Sequence, residues 1–194
     1  MIKVLLFAKA PRPGFVKTRL AKDIGPDRAV QLYRRVGAKV VSRVAARYPL
    51  EIWYDPPDAL HEMRGWLGNR CYRPQAAGDL GARLSHAFRV HFEHSDLPAV
   101  AIGADAPDVD ASTVRAASRA LEQAPVVVGP AVDGGYYLLG LNDPCPQLFR
   151  GIPWSTPDVL RVTVGICERL HLEVVKLKSL RDLDTADDLA FFGL

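Results

Sequence analysis

Apolar residues follow two rhythms along the chain. Short, nearly unbroken runs occupy Ile2–Ala8, Leu50–Tyr54, Ala99–Ile102, Pro125–Gly129, Tyr136–Leu141 and Leu172–Leu177. Their length and β-branched content predict strands buried on both faces. Between them, apolar positions recur every three or four residues. One such series is Ala29, Leu32, Tyr33, Val36, Val40 and Val44; another is Leu80, Leu84, Ala87, Phe88 and Phe92. Val114, Ala117 and Leu121 form a third, and Leu160, Thr163, Val164, Cys167 and Leu170 a fourth. This spacing predicts amphipathic helices. Leu60–Leu67 reads as a short helix and Cys71–Arg73 as a weak strand. Pro26 suits a first helical turn, Asp110 or Ser112 an N-cap, and Thr156 with Pro157 an N-cap and first helical residue. Thr185-Ala-Asp-Asp188 resembles a capping box that opens a terminal helix.

Alternating strands and helices predict an α/β fold: a mostly parallel sheet covered on both faces, three layers in all. The turn Val132-Asp-Gly-Gly135 joins two strands with no helix between them, so the second half of the sheet is expected to be mixed. A length of 194 residues suits one domain, residues 1–194.

Composition narrows the class only slightly. Hydrophobic residues make up 48% and charged residues 24%, with a net charge of +3. Nothing in that balance announces nucleic acid or a membrane surface as partner. Cys71, Cys145 and Cys167 are scattered without metal-ligand spacing and read as reduced thiols of a cytoplasmic protein. No apolar run approaches the roughly 20 residues of a membrane helix, and the chain enters its first strand at once, so no leader peptide is expected.

The segment Ile102-Gly-Ala-Asp-Ala-Pro-Asp108 changes the picture. It places Asp105 just past the carboxyl end of a buried strand, where ligands bind in open α/β sheets. Asp105 is therefore a candidate metal ligand or a turn cap, and Asp108 offers a second carboxylate on the same turn. The loop after the first strand carries Lys9, Arg12, Lys17 and Arg19 around Gly14. It lies on the same binding edge, where Gly14 would let backbone approach a ligand and the cations would attract phosphate. Lys17 brings a compact charge and Arg19 a planar fork. The spacing is neither that of a Walker A loop nor G-x-G-x-x-G. His61, His86, His91, His94 and His171 form no pattern with the carboxylates, and His91 falls on the apolar side of its helix.

Six blocks carry a resemblance. They are Lys9-Ala-Pro-Arg-Pro-Gly14 with Lys17-Thr-Arg-Leu20, Gly78–Arg83, Gly103–Asp108, Gly129–Tyr137, Ile152–Pro157 and Arg181–Leu189. In this order they resemble a bacterial glycosyltransferase-like family associated with radical-SAM genes, within the nucleotide-diphospho-sugar transferase (GT-A-like) superfamily. The Lys-Thr-Arg-Leu loop is similar to that of 2-phospho-L-lactate guanylyltransferase, and molybdenum-cofactor guanylyltransferases share the superfamily.

The resemblance implies a divalent cation, Mg²⁺ or Mn²⁺, held by Asp105 and by Asp184 from the late block. It implies a nucleotide-binding set of Lys9, Gly14, Lys17, Arg19, Gln75, Gly78, Leu80 and Gly81. Lys17, Arg19 and Asp105 carry the catalytic expectation. It also implies an acceptor pocket from Asp133, Gly134, Gly135, Tyr136 and Trp154. Because strand neighbours point to opposite faces, at most one of Tyr136 and Tyr137 is expected in that pocket. The expected activity is metal-dependent nucleotidyl transfer from a nucleoside triphosphate to a phosphorylated small-molecule acceptor. A glycosyltransferase using a nucleotide-sugar, with Asp133 as base, is the first alternative. A nucleotide-binding module without turnover is the second.

Overall fold

A computed structural model describes residues 1–192. Seven strands form one sheet: β1 (Lys3–Lys9), β2 (Leu50–Asp55), β3 (Cys71–Pro74), β4 (Ala99–Gly103), β5 (Val126–Pro130), β6 (Tyr136–Leu141) and β7 (Val174–Lys176). Their order is β3-β2-β1-β4-β6-β5-β7. β6 runs antiparallel to both β4 and β5, and the other neighbouring pairs are parallel. The mixed second half expected from the helix-free turn is therefore present.

Alternation along the strands divides the core. From β1, Val4, Leu6 and Ala8 face a cluster with helices α2 (Pro26–Ala45) and α5 (Ala111–Leu121). Leu5 and, from β2, Trp53 face the opposite cluster with α4 (Leu80–Phe92) and α6 (Val159–Arg169). Every apolar position assigned to the core face of α2 is buried. α5 opens with a full capping box: Asp110 accepts from the Thr113 N–H while the Thr113 hydroxyl accepts from Asp110. His91 is buried, with Nε2 donating to the Leu97 carbonyl, a satisfied core histidine.

Three local expectations are corrected. Thr18–Ile24 is a helix, α1, where a loop was expected through Leu20. In these seven residues only Leu20 is buried, too little repetition to show a helical period. The helix after Pro157 begins at Val159 behind Asp158, not at Thr156. The Thr156 hydroxyl instead donates to the Pro153 carbonyl, in a turn where Ser155 is left-handed at φ 66°. The last strand, β7, has three residues rather than six. α3 (Leu60–Leu67) and α7 (Ala186–Phe192) complete the α-helices among the described residues, and Pro146–Phe149 forms a short 3-10 helix. In α7 the capping box is half formed: Asp188 accepts from the Thr185 N–H and hydroxyl.

Candidate active site

The parallel strands β1, β2 and β4 end on one edge of the sheet, and a cavity of about 640 Å³ opens there. Lys9 borders it from the end of β1, Lys17 and Arg19 from the segment that follows, and Gln75, Gly78, Leu80 and Arg83 from the segment after β3. Asp105 follows β4, and Asp184 arrives from the far end of the chain.

Lys17 is placed by a local anchor. Val16 is buried with Val30 and Tyr33 of α2. The Tyr33 hydroxyl accepts from the Lys9 N–H at 2.9 Å and donates to the Lys9 carbonyl at 3.2 Å, which fixes the exit from β1. Lys17 then takes a left-handed conformation, φ 49°, as the residue before α1. For a residue with a Cβ this costs about 1 kcal/mol, a strain typical of functional loops. Its side chain is only 5% exposed, and Nζ donates to Asp105 Oδ2 at 2.8 Å and Asp184 Oδ1 at 2.6 Å. Burial by itself would lower the ammonium pKa, but the two carboxylates outweigh it and raise it. Burial likewise opposes the Asp105 charge, yet Lys17 holds that carboxyl below its ordinary range.

Both carboxylates have built supports. A Cβ on Gly103 would lie 2.6 Å from Asp105 Oδ1, so glycine leaves room for the carboxylate over the strand end. The Asp188 carboxylate accepts from the Asp184 N–H at 2.9 Å and is paired with Arg181, which steadies the segment that presents Asp184. Asp182 is a third acid in this group. Its Oδ1 is buried without a partner, and burial followed by the Asp105 charge pushes its pKa up to about 7.

Other expected residues lie elsewhere or are otherwise engaged. Arg12 turns away to Glu62 and Asp58 of the α3 region. Gly14, with φ 76°, and the exposed Asp108 stand outside the cavity lining. Gln75 is buried with its amide satisfied: Nε2 donates to Trp53 O at 2.9 Å and Oε1 accepts from Arg83 at 3.2 Å. Asp79 caps α4 by accepting from the Ala82 N–H. Gly81 lies under Trp154, where a Cβ would meet Nε1 at 2.5 Å.

Asp133, Gly134 and Gly135 form a turn packed on the start of α6. Asp133 accepts from the Gly135 N–H, and Gly134 O accepts from the Leu160 N–H. Tyr136 and Tyr137 do lie on opposite faces, yet both border the cavity, because it sits across the sheet's end. The Tyr136 hydroxyl is buried without a partner, and the Tyr137 hydroxyl donates to the Lys178 carbonyl.

Sequence reasoning missed Tyr33, Asp55, Arg83 and the role of Asp182. Arg83 lies inside one of the blocks that carry the resemblance, which was its only signal. Tyr33 reads as a core residue at helical spacing.

A family profile spanning residues 40–156 matches this chain; its description is an uncharacterized protein conserved in bacteria. The chain belongs to the DUF2064 family. A search of curated proteins found no match. Among solved structures, this DUF2064 protein is similar to one from Desulfovibrio desulfuricans G20 proposed to be a nucleotide-diphospho-sugar transferase. The two are 38% identical with a TM-score of 0.89, over 95% of this chain and 82% of that one. It also shares the fold of a 4-diphosphocytidyl-2C-methyl-D-erythritol synthase from Anaerococcus prevotii DSM 20548, at 9% identity and TM-score 0.63, over 98% and 93% of the chains. Rv0371c from Mycobacterium tuberculosis H37Rv, solved with manganese, matches at 20% identity and TM-score 0.54, over 98% and 96%. The DUF2064 chain thus has the nucleotide-diphospho-sugar transferase fold.

The donor chemistry of this DUF2064 site fits a hard divalent cation in part. Two carboxylates converge on one point, and a third carries an unpartnered buried oxygen. Among the described residues no three acidic, His or Cys side chains form a metal-holding group. Among the described residues no helix is long and apolar enough to cross a membrane.

Proposed function

We propose that residues 1–194 act as one cytoplasmic transferase domain that moves a nucleoside monophosphate from a triphosphate to a phosphorylated small molecule. The observation that carries this reading is the Lys17 ammonium bridging Asp105 and Asp184 on a cavity bordered by further cations. Lys9 and Arg19, which have no carboxylate partner among the described residues, offer positive charge for a triphosphate, and the two carboxylates suit the divalent cation that travels with it. The similarity to the Desulfovibrio protein supports a transferase, and the manganese-bound fold relative supports a divalent metal. The resemblance to guanylyltransferases belongs to this proposal as well.

In this reaction Lys17 and Arg19 orient the triphosphate. A phosphate oxygen of the acceptor attacks the α-phosphorus; a new P–O bond forms as the bond to the β-phosphate oxygen breaks. The electron pair leaves with pyrophosphate. A phosphate monoester is already largely ionised near neutral pH, so no general base is required. Mg²⁺ or Mn²⁺, held by Asp105 and Asp184 when bound, supplies charge neutralisation at the transferring and departing phosphates.

A glycosyltransferase with a hydroxyl acceptor would want a base. Asp133, the expected candidate, accepts from its own turn and does not line the cavity. This arrangement favours the nucleotidyl reading. Thermal unfolding with each nucleoside triphosphate and several nucleotide-sugars, with and without Mg²⁺, tests it. Mg²⁺-dependent stabilisation by a triphosphate is expected; stabilisation by nucleotide-sugars alone overturns it. With an acceptor in hand, pyrophosphate release is the confirming product.

A further inference from the structure

Arg83 has an unusual set of bonds. Its Nε donates to Gly78 O at 3.0 Å, and its Nη1 donates to Asp55 Oδ2 at 2.9 Å and to Gln75 Oε1 at 3.2 Å. Three bonds, two to the loop after β3 and one to the end of β2, fix the guanidinium plane. Nη2 has no hydrogen-bond partner among the described residues, and Arg83 borders the cavity. Asp55 pairs with the guanidinium, whereas Lys9 and Arg19 border the cavity without a carboxylate partner among the described residues, so a phosphate is better served at their end. What remains is a rigid, directional N–H pair beside the half-exposed Leu80.

The phosphate end lies elsewhere. Asp55 closes β2 and Asp105 follows β4, with β1 between them. Two strand spacings separate these ends by about 10 Å, the scale of a nucleoside. Of the parts of a nucleotide, the uncharged base is the one that suits the Arg83 end.

We propose that Arg83 is the specificity-determining residue of this cavity, donating through Nη2 to a keto oxygen of the nucleobase. The protein then takes nucleotides of guanine, cytosine or uracil and discriminates against adenine. A guanidinium reads a keto oxygen well, as in its pairing with guanine. Adenine carries no keto oxygen, and its amino group would set donor against donor. Gln75, spent on Trp53 and Arg83, is a positioning residue that holds the fork and does not itself read the base. The inference rests on the nucleotide reading given above.

Isothermal titration of the full chain in Mg²⁺ with ATP, GTP, CTP, UTP and inorganic tripolyphosphate tests it. A charge-assisted bond predicts that a keto-base nucleotide binds wild type roughly tenfold or more tighter than ATP. Arg83→Gln should bring the four nucleotides within about twofold of one another and leave tripolyphosphate binding unchanged. Arg83→Lys keeps the charge without the fork and should behave like Arg83→Gln. Preference for ATP, or a keto preference that survives both substitutions, overturns the proposal. So does a parallel loss of tripolyphosphate binding, which would mark Arg83 as merely structural. Should the variants fail to fold, wild type is titrated with the preferred nucleotide stripped of its base keto oxygen. Affinity should drop to the ATP level, and undiminished affinity overturns the assignment. If wild type binds neither tripolyphosphate nor any nucleotide, the function proposed above falls, and this inference with it.

Discussion

The ammonium of Lys17 stands 2.6 Å from Asp184 Oδ1, joining residues 167 positions apart in the chain. The same nitrogen holds Asp105 at 2.8 Å. One buried cation therefore ties the loop after the first strand to the turn after the fourth and to the end of the chain.

Lys17→Met should leave both carboxylates facing each other without a counter-charge. The side chain of Lys17 is buried, but both acids are more than a third exposed, so solvent moderates the loss. A destabilisation of about 2 kcal/mol is expected in urea unfolding at neutral pH. Added MnCl₂ should recover more of the stability of the variant than it adds to wild type, because the cation replaces the missing ammonium. Equal responses to Mn²⁺ would disconnect these carboxylates from metal binding.

Asp105→Asn keeps the shape of the side chain and removes its charge. Metal-dependent affinity for the triphosphate should fall by roughly 10- to 100-fold, and the thermal midpoint should also drop, because the buried Lys17 loses one of its two counter-charges. Titration of the triphosphate in Mg²⁺ and in EDTA separates the two effects. A wild-type affinity in Mg²⁺ would remove Asp105 from the site.

Gly134→Ala should be costly for a steric reason. Gly134 has φ 90°, and an added Cβ would lie 2.1 Å from the Pro157 carbonyl oxygen, on backbone that cannot swing aside. Left-handed strain and overpacking together predict about 3 kcal/mol. Gly14→Ala meets nothing within 4 Å and carries only the strain of φ 76°, so about 1 kcal/mol is expected. Denaturant midpoints of the two variants should rank in that order.

The pH dependence of stability has an identifiable contributor at the sheet edge. Burial by itself would raise the Glu51 carboxyl. The bonds from Arg73 Nε at 2.8 Å and from the Cys71 thiol at 3.2 Å outweigh it and leave the pKa lowered. A folded pKa below the unfolded one adds stability above the unfolded value, and that stability is lost as pH falls through the folded value. The gap between wild type and Glu51→Gln should be widest near neutral pH and should close under acid. Urea titrations across the acid range check it; a gap independent of pH would contradict the assignment.

The local pattern was enough for the fold class, because a strand buried on both faces leaves an unbroken apolar run and a helix buried along one stripe leaves a mark every three or four residues. It also marked Asp105, since a carboxylate after a buried strand stands out against its neighbours. The block around Asp184 was legible only through its likeness to a family. What the pattern could not show was who partners whom. Arg12 and Lys17 look alike in one basic loop, yet Arg12 leaves for Glu62, fifty positions away, while Lys17 turns inward to Asp105 and Asp184.

The same holds for Gln75 and Asp133, both polar groups in loops near the binding edge. Each is taken up by neighbours: Gln75 by Trp53 and Arg83, Asp133 by its own turn. Arg83 gained its place for the converse reason, since Asp55 from the end of β2 joins Gln75 and Gly78 of the loop after β3 as its acceptors. Periodicity reports how much of each residue is buried, a property of one segment at a time. The direction in which a charge or an amide points is decided by acceptors that distant segments bring alongside it, and only the folded chain assembles those.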